Sequence, residues 1–96
     1  MEITLRFFAN FRDTVGQKTI TREYDDAETV GDVLRALTEE FGLEVFEEDG
    51  SPREFITVMK EGKDVTHLEG MGTPVADGDT VSVFPPVAGG NRGQQQ

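Results

Sequence analysis

Ninety-six residues with 35% hydrophobic side chains, seven of them Phe, are enough for one domain around one small core. The absence of Cys excludes disulfides, thiolate metal sites and a thiol nucleophile, and fits a reducing cytoplasmic setting. A net charge of −10, from 19 acidic against 9 basic residues, repels phosphate backbones and argues against nucleic acid as a partner.

No apolar run approaches the roughly 20 residues of a membrane helix, and the chain starts on a strand pattern rather than a basic, apolar signal peptide. The only lysines are Lys18, Lys60 and Lys63. An acid-rich, lysine-poor surface suits very high salt, where screening over about 3 Å at 1 M removes self-repulsion. This points to a halophilic source; the alternative is an ordinary acidic domain.

In chain order, Glu2 to Phe8 alternates as a half-buried strand, with Ile3, Leu5 and Phe7 on one face. Ala9 to Val15 reads as a loop with one helical turn, closed by Gly16. Gln17 to Tyr24 reads as a second strand, antiparallel to the first. Thr29-Val30-Gly31-Asp32 is a helix start: the Thr29 hydroxyl caps, Asp32 returns a bond, and its carboxylate suits the positive helix end. Val30, Val33, Leu34, Leu37 and Phe41 then fall on one face of a helix over 30–41, stopped by Gly42.

Residues 43–55 form an acidic surface loop with Leu43, Val45, Phe46 and Phe55 as candidate anchors. Ile56 to Lys60 is a third strand, 61–64 a turn, Val65 to Leu68 a short edge strand, 69–79 a loop, and Asp79 to Phe84 the last strand. The order β-β-α-β-β-β predicts an α+β fold, a mixed sheet with one main helix packed on one face. The first and last strands lie parallel at its middle, with the helix on the crossover.

The last strand runs into Pro85-Pro86-Val87-Ala88-Gly89-Gly90. The prolines lack N–H groups and end strand pairing. Side chains then shrink to Gly89 and Gly90, so the chain can enter a cleft where a Cβ would clash. Extended, Pro85 to Gly90 reaches on the order of 20 Å. The other reading is a plain disordered terminus. The expected division is a folded domain at 1–86 and a flexible tail at 87–96 whose last six residues are polar and low in complexity.

Strand alternation also exposes a site. If Ile3, Leu5, Phe7, Val81, Val83, Ile56 and Val58 face the helix, then Phe8, Phe84 and Met59 face away. Clustered Phe and Met on an uncovered face mark a partner-docking patch at the root of the tail. The alternative is that loop 43–55 folds over it. His67 stands alone without a second metal ligand. No nucleophile-base spacing or phosphate-cradling loop appears, so the chain is expected not to be an enzyme.

These residues carry a family resemblance. Leu5-Arg6-Phe7-Phe8-Ala9 with Phe11-Arg12 and Val15-Gly16, Ala27 to Leu34, Asp77-Gly78-Asp79, and Val83 to Gly90 resemble the ubiquitin-like β-grasp proteins of the sulfur-carrier type. These include the MoaD-like molybdopterin synthase small subunit, the thiamine sulfur carrier ThiS, and above all the small archaeal modifier proteins. The resemblance implies a β-grasp fold and a C-terminal Gly90 adenylated by an E1-like enzyme using MgATP, with no cofactor bound by the chain itself. The activated Gly90 then joins a target lysine as an isopeptide or accepts sulfur as a thiocarboxylate for molybdopterin synthesis or tRNA thiolation.

Partners so implied are the activating enzyme, target proteins, the molybdopterin synthase large subunit and a processing or deconjugating protease, with the chain alone a monomer. Phe8 and Phe84 match family positions that meet the activating enzyme or the synthase large subunit; with Met59, Pro85, Pro86 and Val87 they are the expected docking residues, behind the Gly89-Gly90 end. Lys18, Lys60 and Lys63 are the candidate acceptors should the chain itself be modified. One departure stands out: six residues follow Gly-Gly here, so Gly90 is an amide; either a protease removes 91–96, which is the expectation, or the chain is not conjugated in this form. A β-grasp interaction module that never uses its tail is the third alternative.

Overall fold

The computed structural model describes residues 1–86. The expectations for Val87, Gly89, Gly90 and the extension 91–96 lie outside the described residues.

Alternation fixes the sheet. In β1 (Glu2–Phe7), Ile3, Leu5 and Phe7 have no exposed surface. β2 (Thr19–Glu23) pairs antiparallel with β1 and adds Ile20 to the same core. β5 (Thr80–Phe84) lies parallel to β1 and contributes Val81 and Val83. β3 (Thr57–Lys60) pairs antiparallel with β5, and β4 (Lys63–Asp64) closes the edge. The sheet order is β2-β1-β5-β3-β4, so the first and last strands lie together in the middle as expected. It is a mixed sheet with α-helices packed on it, an α+β fold.

Between β1 and β2 the expected loop is a helix, α1 (Ala9–Val15). Only Phe11 of its seven residues is buried, so no apolar periodicity announces it. The main helix, α2 (Val30–Phe41), keeps its expected bounds. Asp32 N–H donates to Thr29 Oγ1 at 3.2 Å, and Asp32 Oδ2 accepts from the backbone N–H groups of Glu28 at 3.0 Å and Thr29 at 3.2 Å. The helix ends at Gly42, whose φ of 72° lets its N–H reach Thr38 O. Val30, Val33, Leu34 and Leu37 are fully buried on the sheet, each contributing about 1.5–3 kcal/mol of apolar burial.

The expected edge strand at Val65 to Leu68 is a 3-10 turn, Val65–His67, and the edge strand is Lys63–Asp64. The cause is the preceding turn. Glu61 and Gly62 have φ of 51° and 79°, giving a two-residue hairpin loop that pairs Lys60 with Lys63 at once. Asp64 then caps the 3-10 turn, its Oδ1 accepting from Thr66 N–H at 2.9 Å and the Thr66 hydroxyl at 2.8 Å. Residues 69–79 hold a further 3-10 turn, Gly70–Gly72.

Loop 43–55 sends Leu43 and Val45 into the core, and Phe46 lies half-buried with the Arg35 guanidinium 5.5 Å from its ring. The fourth expected anchor, Phe55, does not anchor anything: it is 80% exposed, with φ of 67°. Residues 54 and 55 form a turn ahead of β3, so the ring stands in solvent instead of packing on the core, which sequence periodicity does not register.

The capping box gives a pH-dependent contribution. Asp32 is held below the usual carboxylate range, first by the hydrogen bond from Glu28 N–H, then by those from Thr29 and by Arg35. A lowered folded pKa stabilises above the unfolded value, about 4, and the effect fades as pH falls through the folded value. Asp32→Asn is therefore expected to be less stable than the wild type at neutral pH. The gap should close progressively as urea denaturation curves are taken below about pH 4. A gap independent of pH would contradict the assignment.

Salt is the second lever. With a net charge of −10, raising KCl from about 0.1 M to about 1 M shortens the screening length from about 10 Å to about 3 Å. The melting temperature is expected to rise by about 4–8 °C for each kcal/mol of repulsion removed. A melting temperature that does not rise from low salt to molar KCl would exclude the halophilic reading of the composition.

Candidate docking face and tail root

Register builds the site. Arg6 opposes Ser82 and Phe7 opposes Val83 across β1 and β5, so one step further sets Phe8 beside Phe84. Their rings stack with centroids 4.1 Å apart and planes 11° from parallel. The Arg6 guanidinium lies 5.5 Å from the Phe8 ring centroid, a cation over the π face. Met59 opposes Ser82 across β3 and β5 and so shares this face, away from α2. Phe8, Phe84 and Met59 are each half-buried. The apolar patch is thus a stacked aromatic pair with Met59 beside it, rather than separately exposed rings.

Pro85 is buried, which corrects its expected docking role. The alternation that turns Phe84 outward turns the next residue back toward the protein. Pro86 is exposed and lines a cleft of about 220 Å³ together with Asn10, Phe11, Thr14, Leu43 and Arg53. Arg53 reaches Glu44 at 3.4 Å, and its Nε is buried without a protein partner. The described chain therefore ends at a cleft between α1 and loop 43–55.

Lys18 and Lys63 are exposed, whereas Lys60 is held by Asp79 at 3.5 Å with its side chain 25% exposed. His67 is exposed at the end of its 3-10 turn. Among the described residues, no group of three His, Asp or Glu side chains is arranged to hold a metal ion, and no helix is long and apolar enough to cross a membrane.

Comparison with known proteins decides the family. The model of the ThiS family matches residues 5–90. The chain belongs to the ThiS family. Small archaeal modifier protein 3 of Haloferax volcanii is 56% identical over 92 residues, covering 94% of this chain and all of the relative. Sulfur carrier protein CysO of Mycobacterium tuberculosis is 33% identical over 82 residues, covering 80% of this chain and 85% of the carrier. The crystal structure of small archaeal modifier protein 1 from Haloferax volcanii superposes with a TM-score of 0.80 at 30% identity, covering 93% of this chain and 99% of that one. The ubiquitin-like β-grasp fold expected from the resemblance is thus the fold of this ThiS-family chain. Its named relatives are modifier proteins and sulfur carriers. The ThiS match stops on Gly90, and residues 91–96 lie beyond it.

Sequence reasoning missed Phe55 as a surface residue. Nothing in the residues around it signals the positive φ, and the adjacent Ile56 does pack on the core.

Proposed function

We propose that this chain is a ubiquitin-like protein modifier. A protease first hydrolyses the Gly90–Asn91 peptide bond, adding water to leave a Gly90 carboxylate and an Asn91 amine. In an E1-like enzyme, a carboxylate oxygen of Gly90 attacks the α-phosphorus of MgATP and expels pyrophosphate. The acyl-adenylate then meets a lysine Nζ on a target protein. The amine attacks the acyl carbon, AMP leaves, a proton is lost, and an isopeptide bond remains. The chain supplies the electrophile and the docking face, and the partner supplies catalysis. ATP and Mg belong to that partner, and the chain binds no cofactor of its own.

The observation that carries this reading is the family match ending on Gly-Gly, together with the similarity to a modifier protein along the whole of that relative. The stacked Phe8 and Phe84 with Met59 are the docking residues, Pro86 starts the exit path, and Gly89-Gly90 is the end that threads the enzyme. Glycine suits that end because the acyl carbon stays unhindered.

The similarity to CysO favours a second reading, a sulfur carrier. Here a hydrosulfide-level donor attacks the same acyl-adenylate, AMP leaves, and a Gly90 thiocarboxylate forms for molybdopterin synthesis or tRNA thiolation. Mass spectrometry of protein recovered from its own cells tests both. Lysines bearing the Gly90 acyl group support the modifier. A free chain ending at Gly90 with one oxygen exchanged for sulfur supports the carrier. Conjugates and active pools that all retain Gln96 would overturn processing, and neither product would leave an interaction module.

A further inference from the structure

We propose that Phe55 is the anchor by which the adenylating partner grips the body of this protein beside the tail. The inference rests on the reading that Gly90 is activated by another enzyme. It concerns a residue outside the sheet face described above.

Three observations converge on Phe55. It is 80% exposed, whereas the other large exposed hydrophobic among the described residues, Leu68, is 42% exposed. Its φ of 67° is a left-handed conformation that a bulky side chain rarely adopts. Such strain persists where the surroundings over-determine it and gathers at binding sites. Its place is the third. β3 and β5 pair Thr57 with Phe84, so two residues outward from each lie Phe55 and Pro86, at the same end of the sheet. Arg53 and Pro86 line one cleft there.

Chain length supplies the occupant. Gly90 lies four residues beyond Pro86, and at about 3.3–3.6 Å per residue it reaches no further than about 14 Å from it. An enzyme holding Gly90 in its active site must bring its own surface to that end of the body. That surface then passes Phe55, two residues along the chain from the cleft-lining Arg53. The partner surface that fits is an apolar pocket for the ring, flanked by basic groups that complement Glu54 and the acidic loop Glu47, Glu48 and Asp49.

Phe55 stands in a turn just before β3, and its ring is already out in solvent. Aromatic side chains dominate binding when they fill a desolvated pocket, while their neighbours contribute little.

The test is pyrophosphate exchange by the purified cognate adenylating enzyme, using chain ending at Gly90. Phe55→Ala is expected to raise the KM for the chain by about tenfold or more, with kcat little changed and the melting temperature within a few degrees of wild type. Phe55→Leu should recover most of the loss, and Leu68→Ala should leave KM unchanged. Exchange by Phe55→Ala at wild-type KM, or an equal loss with Leu68→Ala, overturns the inference alone. No exchange with the wild-type chain ending at Gly90 overturns the function reading and this inference with it.

Discussion

A chain ending at Gly90 is expected to support ATP–pyrophosphate exchange with its activating enzyme, and the same chain carrying residues 91–96 is expected to support none above background. The effect is all-or-none because it is chemical. With Asn91 attached, the Gly90 carbonyl is an amide, with no ionised oxygen to attack the α-phosphorus. Within chains ending at position 90, Gly90→Ala is expected to lower kcat/KM by about a hundredfold or more. A Cβ beside the acyl carbon displaces the reacting atoms on a scale that costs this much. The two results differ in kind: the extended chain should still compete for docking, while the alanine chain should bind and turn over slowly. Full activity of the extended chain, without trimming seen by intact mass, would remove the proposed mechanism.

The second large effect belongs to the aromatic pair. Phe84→Ala is expected to weaken docking to the activating enzyme by about 30-fold, the weight of a hot-spot side chain. The stacked rings at 4.1 Å also stabilise each other, by about 0.5–1.5 kcal/mol beyond their burial. A melting temperature lowered by a few degrees is thus part of the expected result, and a cooperative melt shows that the fold survives. Phe8→Ala should behave similarly. Because the rings touch, the double variant should lose less than the sum of the singles. Docking at wild-type strength in either single variant would show that the partner does not use this face, and additive losses would show that the two rings act on it independently.

The legible parts of this chain were those whose signals are local. Thr29 and Asp32 mark a helix start within four residues, and the bounds 30–41 hold. Ile3, Leu5 and Phe7 fix a face by alternation, and that face then dictates that Phe8 and Phe84 meet. Signals that depend on a single residue's backbone were hidden. Glu61 sits in a left-handed hairpin position usually filled by Asn, Asp or Gly, so the turn reads as four residues long, 61–64, and the early edge strand at Lys63–Asp64 passes unseen. Phe55 looks like a loop anchor in any periodicity argument, because nothing in its neighbours reveals a positive φ. Pro85 is expected among the docking residues with the rest of the tail root, although one step of alternation from Phe84 turns it inward.

The strand that carries the tail occupies the centre of the sheet, with Thr4 paired to Thr80. During synthesis the amino-terminal strand is made early, yet its parallel neighbour leaves the ribosome near the end. Loop closure over so long a separation comes late and slowly. A nascent or prematurely terminated product therefore lacks its middle ladder and leaves β1 with an unpaired edge. Topology thus ties the folded body to the tail: a polypeptide that stops short of β5 has neither the middle ladder nor the segment that follows it.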